Sequence, residues 1–375
     1  MGLTLPGFVE RSKTIASLPS LGLLTLAGMT PQNHEIQYLE VQELSQLEQL
    51  PVFDLVAISS LSAQIKEAYR LAERYRAEGV PVVMGGLHVT SLPQEAAKFA
   101  SAVVVGEGEV CWQKIVRDAE RGQLRKFYGA GEPAFDFANA PMPAFELLEI
   151  ERYNRITVQT SRGCPHRCEF CASSILLTDK YKQKPVSKVL AEIDKILTIW
   201  KDPFLEFADD NSFINRRYWK ELLPELKRRK LRWFTEADIA VAEDEELLRL
   251  MHEAGCAQVL IGLESPVDGG LRGLELRNDW KLHRRPHYMD AIRRIQSHGI
   301  TVNGCFVLGL DGQTAQAPPA DDGPGSRART LATVVRMGLE RLHALPEHAL
   351  APSAPPWQGC GLGNRGRTLA TVVRM

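Results

Sequence analysis

Hydrophobic and polar positions alternate along this chain in two rhythms, one of short apolar runs and one of helical period. Asp54-Leu55-Val56-Ala57-Ile58-Ser59-Ser60 is nearly continuous in apolar residues, the pattern of a strand covered on both faces, as in a parallel sheet. After it Ile65, Ala68, Leu71, Ala72 and Tyr75 recur at helical spacing, with Lys66, Glu67, Arg70, Glu73 and Arg74 on the opposite face, and Gly79 ends the period. Residues 80–84 and 102–105 predict two more strands, with a helix over 93–99 between them and another over 109–121. This is the alternation of a doubly wound, Rossmann-like α/β domain, expected over residues 1–130. Gly129-Ala130-Gly131-Glu132-Pro133 and Asn139-Ala140-Pro141-Met142-Pro143 interrupt every period and mark a linker over 131–152.

The rhythm resumes near Tyr153. Ile156-Thr157-Val158-Gln159-Thr160 reads as a strand, and Val186, Val189, Leu190, Ile193, Ile196 and Leu197 keep helical period before a strand over 204–208. Helices over 219–230, 243–254 and 289–298 then lead to strands over 233–238, 259–265 and 302–310. Five such βα units predict an open, partial barrel over 153–314.

The chemistry concentrates where the first of these strands ends. Thr160-Ser161-Arg162-Gly163-Cys164-Pro165-His166-Arg167-Cys168-Glu169-Phe170-Cys171 carries three cysteines in CxxxCxxC spacing on one short loop. Three thiolates on a cubane of four irons leave one iron open to the amino and carboxylate groups of S-adenosylmethionine, whose reductive cleavage gives a 5'-deoxyadenosyl radical. A bacterial ferredoxin run would have tighter spacing and a fourth Cys followed by Pro, and neither follows Cys171. A structural zinc site wants four closed ligands, and beyond His166 no second Cys or His pair stands at finger or ribbon spacing. The plainer alternative is three unrelated cysteines on a surface loop.

These motifs resemble the radical S-adenosylmethionine enzymes from about Tyr153 to Gly312. The resemblance implies that Cys164, Cys168 and Cys171 bind a 4Fe–4S cluster and that Phe170 packs near the adenine. Asp209 and Asp210 stand where relatives carry a Gly-Gly-Glu motif for the amino group of S-adenosylmethionine, although the glycines are absent. Glu236 and Glu264 end the third and fourth strands, where a carboxylate can accept from ribose hydroxyls or the amino group. For each acid the bland reading is a helix N-cap or a strand-end salt bridge. The run from Gly304 to Gly309 matches the family's fifth strand, whose backbone borders the adenine.

In the first domain two strands end in glycine loops, Gly85-Gly86-Leu87-His88 and Gly106-Glu107-Gly108-Glu109, and ligands of open α/β sheets bind beyond such ends. With Pro19-Ser20-Leu21-Gly22-Leu23-Leu24 these steps look like the cobalamin-binding domain found in front of many radical S-adenosylmethionine enzymes, over residues 17–121. Gly85, Gly86, Gly106 and Gly108 are the positions the resemblance places at cobalamin. No convincing first strand precedes Pro19, so the sheet is expected to lack one, and without an Asp-x-His-x-x-Gly motif His88 reads as a turn-stabilising residue.

The resemblance therefore implies a cobalamin-dependent radical enzyme that methylates or otherwise functionalises a C–H bond of a small-molecule or lipid-like substrate, with a reductant such as flavodoxin or ferredoxin as partner. Two other readings stand beside it. A tRNA methylthiotransferase would need three further cysteines in the first domain, where only Cys111 is available. A non-catalytic cluster- or cobalamin-binding remnant would suit the missing strands and the tail.

Composition narrows this further. The chain has 375 residues, a net charge of −1 and 7 cysteines. That near-neutral balance gives no basic excess for nucleic acid, no apolar run is long enough to span a membrane, and the first residues lack a secretory pattern. A reducing, cytoplasmic setting is expected, with Cys111, Cys256 and Cys305 as buried free thiols. After Thr314 the family pattern stops. Residues 315–325 are low in complexity, and Arg329-Thr330-Leu331-Ala332-Thr333-Val334-Val335-Arg336-Met337 recurs unchanged as Arg367-Thr368-Leu369-Ala370-Thr371-Val372-Val373-Arg374-Met375. Residues 315–375 are expected to be irregular or non-native, leaving a barrel that stops after five strands.

Overall fold

The computed structural model describes residues 18–41, 44–47, 49–171, 180–275, 278–307, 310 and 368–374. They form two compact units: Met1–Gly163 with Ala172–Pro203 and Gly363–Met375, and Cys164–Cys171 with Phe204–Leu362. The first unit therefore takes in the expected linker and the start of the expected barrel.

In the first unit α1 (Leu21–Met29), capped by the Ser20 hydroxyl, is followed by β1 (Glu35–Val41), β2 (Leu55–Ser59), α2 (Ile65–Ala77) and β3 (Val82–Gly85). Then come α3 (Leu87–Ser91), α4 (Pro93–Phe99), β4 (Ala102–Val104), α5 (Trp112–Glu120) and β5 (Phe127–Tyr128). β2, β3 and β4 bury both faces, which is why they read as apolar runs. Val56, Ile58, Val82, Met84 and Val103 join one core under α2 and α4, while Leu55, Ala57, Val83, Ala102 and Val104 join another with Trp112, Ile115 and Val116 of α5. The unit continues through β6 (Ile156–Val158), β7 (Ser161–Arg162), β8 (Lys182–Gln183) and α6 (Val186–Ile199). β7 and β8 pair antiparallel, Arg162 opposite Lys182.

The second unit repeats strand and helix. It runs β9 (Phe204–Phe207), α7 (Arg216–Arg228), β10 (Arg232–Ala237), α8 (Glu245–Glu253), β11 (Cys256–Glu264), α9 (Trp280–Arg284), α10 (Tyr288–Ser297) and β12 (Thr301–Phe306). β9, β10, β11 and β12 pair in that order, all parallel, so their carboxyl ends share one edge. Phe207, Trp219 and Trp233, all fully buried, pack edge-to-face and stacked with centroids 5.1–5.8 Å apart, which seats α7 on the sheet.

Three features differ from the sequence reading. α1, β1, α3, β5, β7, β8 and α9 lie outside the expected elements. The sheet, expected to lack its first strand, has β13 (Thr368–Arg374) beside β2, giving the order β1-β13-β2-β3-β4-β5. β13 runs antiparallel to both neighbours, Glu35 opposite Arg374 and Val56 opposite Val372, so part of the tail expected to be irregular is a strand of the first unit. Residues 1–17, the first copy of the duplicated segment and Cys360 lie outside the described residues. Among the described residues no helix is long and apolar enough to cross a membrane.

Candidate functional site

The cysteine loop belongs to the second unit and is held by backbone bonds. The Glu169 amide donates to the Leu274 carbonyl at 2.9 Å, Cys168 bridges to Glu275, and the Cys171 amide closes on the Cys168 carbonyl at 3.0 Å. Arg167 takes a left-handed φ of 48°, which turns the chain between the first and second cysteines. Cys168 is buried, Cys164 and Cys171 are half-buried, and Phe170 is 44% exposed with its ring open to solvent.

Side chains at the strand ends brace this loop. Asn211 Nδ2 lies 3.9 Å from Cys164 Sγ and donates to Asp238 Oδ2 at 2.8 Å, while the Asp238 amide donates to Asn211 Oδ1 at 3.2 Å. His166 Nε2 is 3.0 Å from the same Asp238 oxygen, and its ring packs on Trp280 with centroids 4.4 Å apart. Burial would raise the Asp238 pKa, but bonds from His166, Asn211 and the Ala240 amide hold it below the ordinary range. Burial pushes the Cys168 thiol up to about 12, with Lys281 opposing and Glu275 adding, and it also raises Cys164. A metal that took these cysteines as thiolates would therefore have to displace their protons. Among the described residues no three His, Cys, Asp or Glu side chains are placed to hold a single metal ion, whereas a cubane offers each thiolate its own iron.

The expected acids part company here. Asp209 is buried and accepts from the Ser212 hydroxyl at 3.0 Å. Loss of hydration, then repulsion from Glu206, Asp210 and Asp209, pushes Glu236 up to about 7, although its side chain reaches solvent and water screens part of that rise. Glu264 is committed elsewhere. Its carboxylate accepts from Lys281 Nζ at 2.6 Å, its φ is left-handed at 62°, and its carbonyl accepts from the Val307 amide at 2.9 Å where the β11–β12 register shifts. It makes the strand-end salt bridge of the bland reading. Gly309 lies outside the described residues.

The first unit holds a cavity of about 190 Å³ beyond the carboxyl ends of β2, β3 and β4. Gly85, Gly86, Gly106 and Gly108 line it together with Leu26 and Trp112, so all four expected glycines meet in one place. Gly86 and Gly106 have φ of 99° and 86°, and a Cβ on Gly86 would come within 2.9 Å of Ser59 Oγ. The glycines thus keep the cradle floor free of side chains. His88 is turned to other work, 3.5 Å from Glu95 and edge-on to Tyr69.

One wall of the cavity is ionic. Arg162 donates to Glu107 at 2.8 Å and to Glu109 at 2.9 Å, and its guanidinium lies 4.8 Å from the Phe137 ring centre. Lys182 Nζ holds the second oxygen of Glu107 at 2.6 Å, and the Phe135 amide adds a bond at 2.9 Å. Burial opposes ionisation of Glu107, yet these bonds hold its pKa below the usual value.

Comparison with known proteins fits both sites. The Radical SAM superfamily model matches residues 158–319, and the B12 binding domain model matches residues 13–116. The chain belongs to the radical SAM superfamily. It is of the kind that carries a B12 binding domain before the core. It is 31% identical to an uncharacterized methyltransferase of Synechocystis sp. over 345 residues, which is 89% of this chain and 62% of that protein. It is 27% identical to the bacteriochlorophyllide d C-12(1)-methyltransferase of Chlorobaculum tepidum over 310 residues, 79% of this chain and 65% of that protein. The chain thus spans less than two thirds of either relative. The fold is similar to that of the radical S-adenosylmethionine methyltransferase TsrM from Kitasatospora setae, with a TM-score of 0.62 and 17% identity over 89% of this chain and 70% of that one.

Asn211, Asp238 and Lys281 of the second unit escaped the sequence reading, as did Arg162 of the first. Asn211 directly follows Asp210, and Asp238 stands two residues beyond Glu236, so the signal was proximity to residues already singled out. Lys281 and Arg162 had no local signal, since their partners are remote in sequence.

Proposed function

We propose that this chain provides the cluster, S-adenosylmethionine and cobalamin sites of a radical SAM methyltransferase acting on a carbon atom of a small-molecule substrate. The observation that carries the reading is the three-cysteine loop braced at the carboxyl edge of a parallel sheet, with Asn211 beside Cys164 and Asp238 behind both Asn211 and His166. When bound, a 4Fe–4S cluster with an open iron supplies the electron that cleaves S-adenosylmethionine, and cobalamin supplies a carrier for the methyl group.

The chain's own residues would do the following. Cys164, Cys168 and Cys171 would each hold one iron, and the bonds from the cysteine loop to Leu274 and Glu275 would fix the loop before ligation. Asn211 would orient the Cys164 sulfur. Asp209, Asp210 and Glu236, on the same strand edge, would present negative charge to a sulfonium or amino group, and Phe170 would offer an aromatic face to a base. In the other unit Gly85, Gly86, Gly106 and Gly108 would allow close backbone approach to cobalamin. A reductant such as flavodoxin or ferredoxin would deliver the electron. The methyltransferase names of the relatives support methyl transfer as the outcome.

Anaerobic reconstitution with iron and sulfide, followed by assay of 5'-deoxyadenosine from S-adenosylmethionine and reductant, tests the reading. Product that depends on Cys168, judged with Cys168→Ala, is expected. A stable cluster that yields no cleavage, with or without hydroxocobalamin, would instead establish a binding module and overturn the enzymatic reading.

A further inference from the structure

The pair β7–β8 brackets the cysteine loop in the chain, β7 leading into Cys164 and β8 following Cys171. Its register sets two cations opposite each other, Arg162 and Lys182, an arrangement that repels unless anions lie between them. The anions come from the cavity. Glu107 accepts from both cations and Glu109 from Arg162, and these acids alternate with Gly106 and Gly108, which line the cradle. Arg162 itself also lines the cavity. Two positive and two negative side chains, each less than a fifth exposed, therefore close one neutral cluster.

We propose that Arg162 is a positioning residue that, through Glu107 and Glu109, ties the mouth of the glycine-lined cavity to the strand pair bracketing the cysteine loop, so that occupancy of either site strengthens binding at the other. A ligand that settles on Gly106 and Gly108 fixes the loop carrying both acids. The fixed acids hold Arg162 and Lys182 in register, and that register sets the chain at Arg162, two residues before Cys164. The fork of the guanidinium is required, because a lysine at 162 keeps the charge but cannot hold two carboxylates in one plane. This inference rests on the cluster and cobalamin reading given above.

The test is the affinity of the full chain for hydroxocobalamin, followed by visible absorbance before and after cluster reconstitution. In the unaltered chain the cluster is expected to tighten cobalamin binding about fivefold or more, and linkage requires cobalamin to favour the cluster equally. In Arg162→Lys the ratio of the two affinities is expected to fall to about one, while iron per chain and circular dichroism stay unchanged. Glu109→Gln, which leaves the Arg162–Glu107 bond in place, is expected to give an intermediate ratio and serves if Arg162→Lys does not fold. An unaltered ratio in both variants overturns the inference, as does a ratio of one in the unaltered chain. A chain that takes up neither cluster nor cobalamin overturns the functional reading and this inference with it.

Discussion

The two units both gather polar residues beyond the carboxyl ends of parallel strands, but they manage charge in opposite ways. At the glycine-lined cavity the buried acids are matched: Glu107 and Glu109 meet Arg162 and Lys182, and the wall is neutral. At the edge of β9 and β10, desolvation and then the nearby Glu206, Asp210 and Asp209 raise the pKa of Glu236, so several acids gather in one place. A matched wall with a bare glycine floor suits a large ligand bound by shape and backbone contact. An acidic edge suits a cation, and among the cofactors proposed here S-adenosylmethionine carries the sulfonium and the ammonium. The same topology thus serves two kinds of ligand by changing only which side chains end the strands.

The sharpest way to separate the two sites is Cys168→Ala, which is expected to abolish cluster binding and 5'-deoxyadenosine formation while hydroxocobalamin still binds. Iron analysis beside visible absorbance reads both at once. Next in size is Arg162→Ala, which leaves two buried carboxylates with Lys182 alone and is expected to cost on the order of 3 kcal/mol in urea denaturation. A cost below about 0.5 kcal/mol would mean that the matched wall is no more than a surface ion pair. Asn211→Ala removes the amide beside Cys164 and one of the bonds to Asp238, and iron lost to a chelator is expected to rise about tenfold.

The smallest effect is expected at Glu236. A glutamate of the unfolded chain titrates near 4.5, whereas this one holds its proton to about 7. Between those values the folded state binds more protons than the unfolded one, so stability falls as pH rises through the window and stays lower above it. Glu236→Gln should therefore stabilise the protein at pH 8 and leave it unchanged at pH 4, by less than about 1 kcal/mol once solvent screening is allowed for. Equal stabilisation at both pH values would show that the acidic edge is not repulsive.

Much of this was readable because burial on both faces leaves a mark in sequence. α2, α4, α6 and the strands β2, β3, β4, β9, β10 and β11 follow their apolar periods, and the four glycines singled out line one cavity. β1 did not announce itself. Glu35-Ile36-Gln37-Tyr38-Leu39-Glu40-Val41 buries only Tyr38 fully, so it shows no apolar run. Glu264 illustrates another limit: its role was set by Lys281 on a different element, which no local pattern reveals. Arg162 sat inside the cysteine motif and was passed over because its partners lie 53 and 55 positions away.

β13 gives the first unit an unusual timetable. Its neighbours β1 and β2 leave the ribosome early, but the strand between them is residues 368–374, made after the whole second unit. At about 5–20 residues per second that gap lasts on the order of tens of seconds, during which the edges of β1 and β2 lack their partner. The nascent first unit must wait with an open sheet. Folding of this protein is therefore expected to finish where it began, with its slowest step the closing of a strand pair of very high sequence separation.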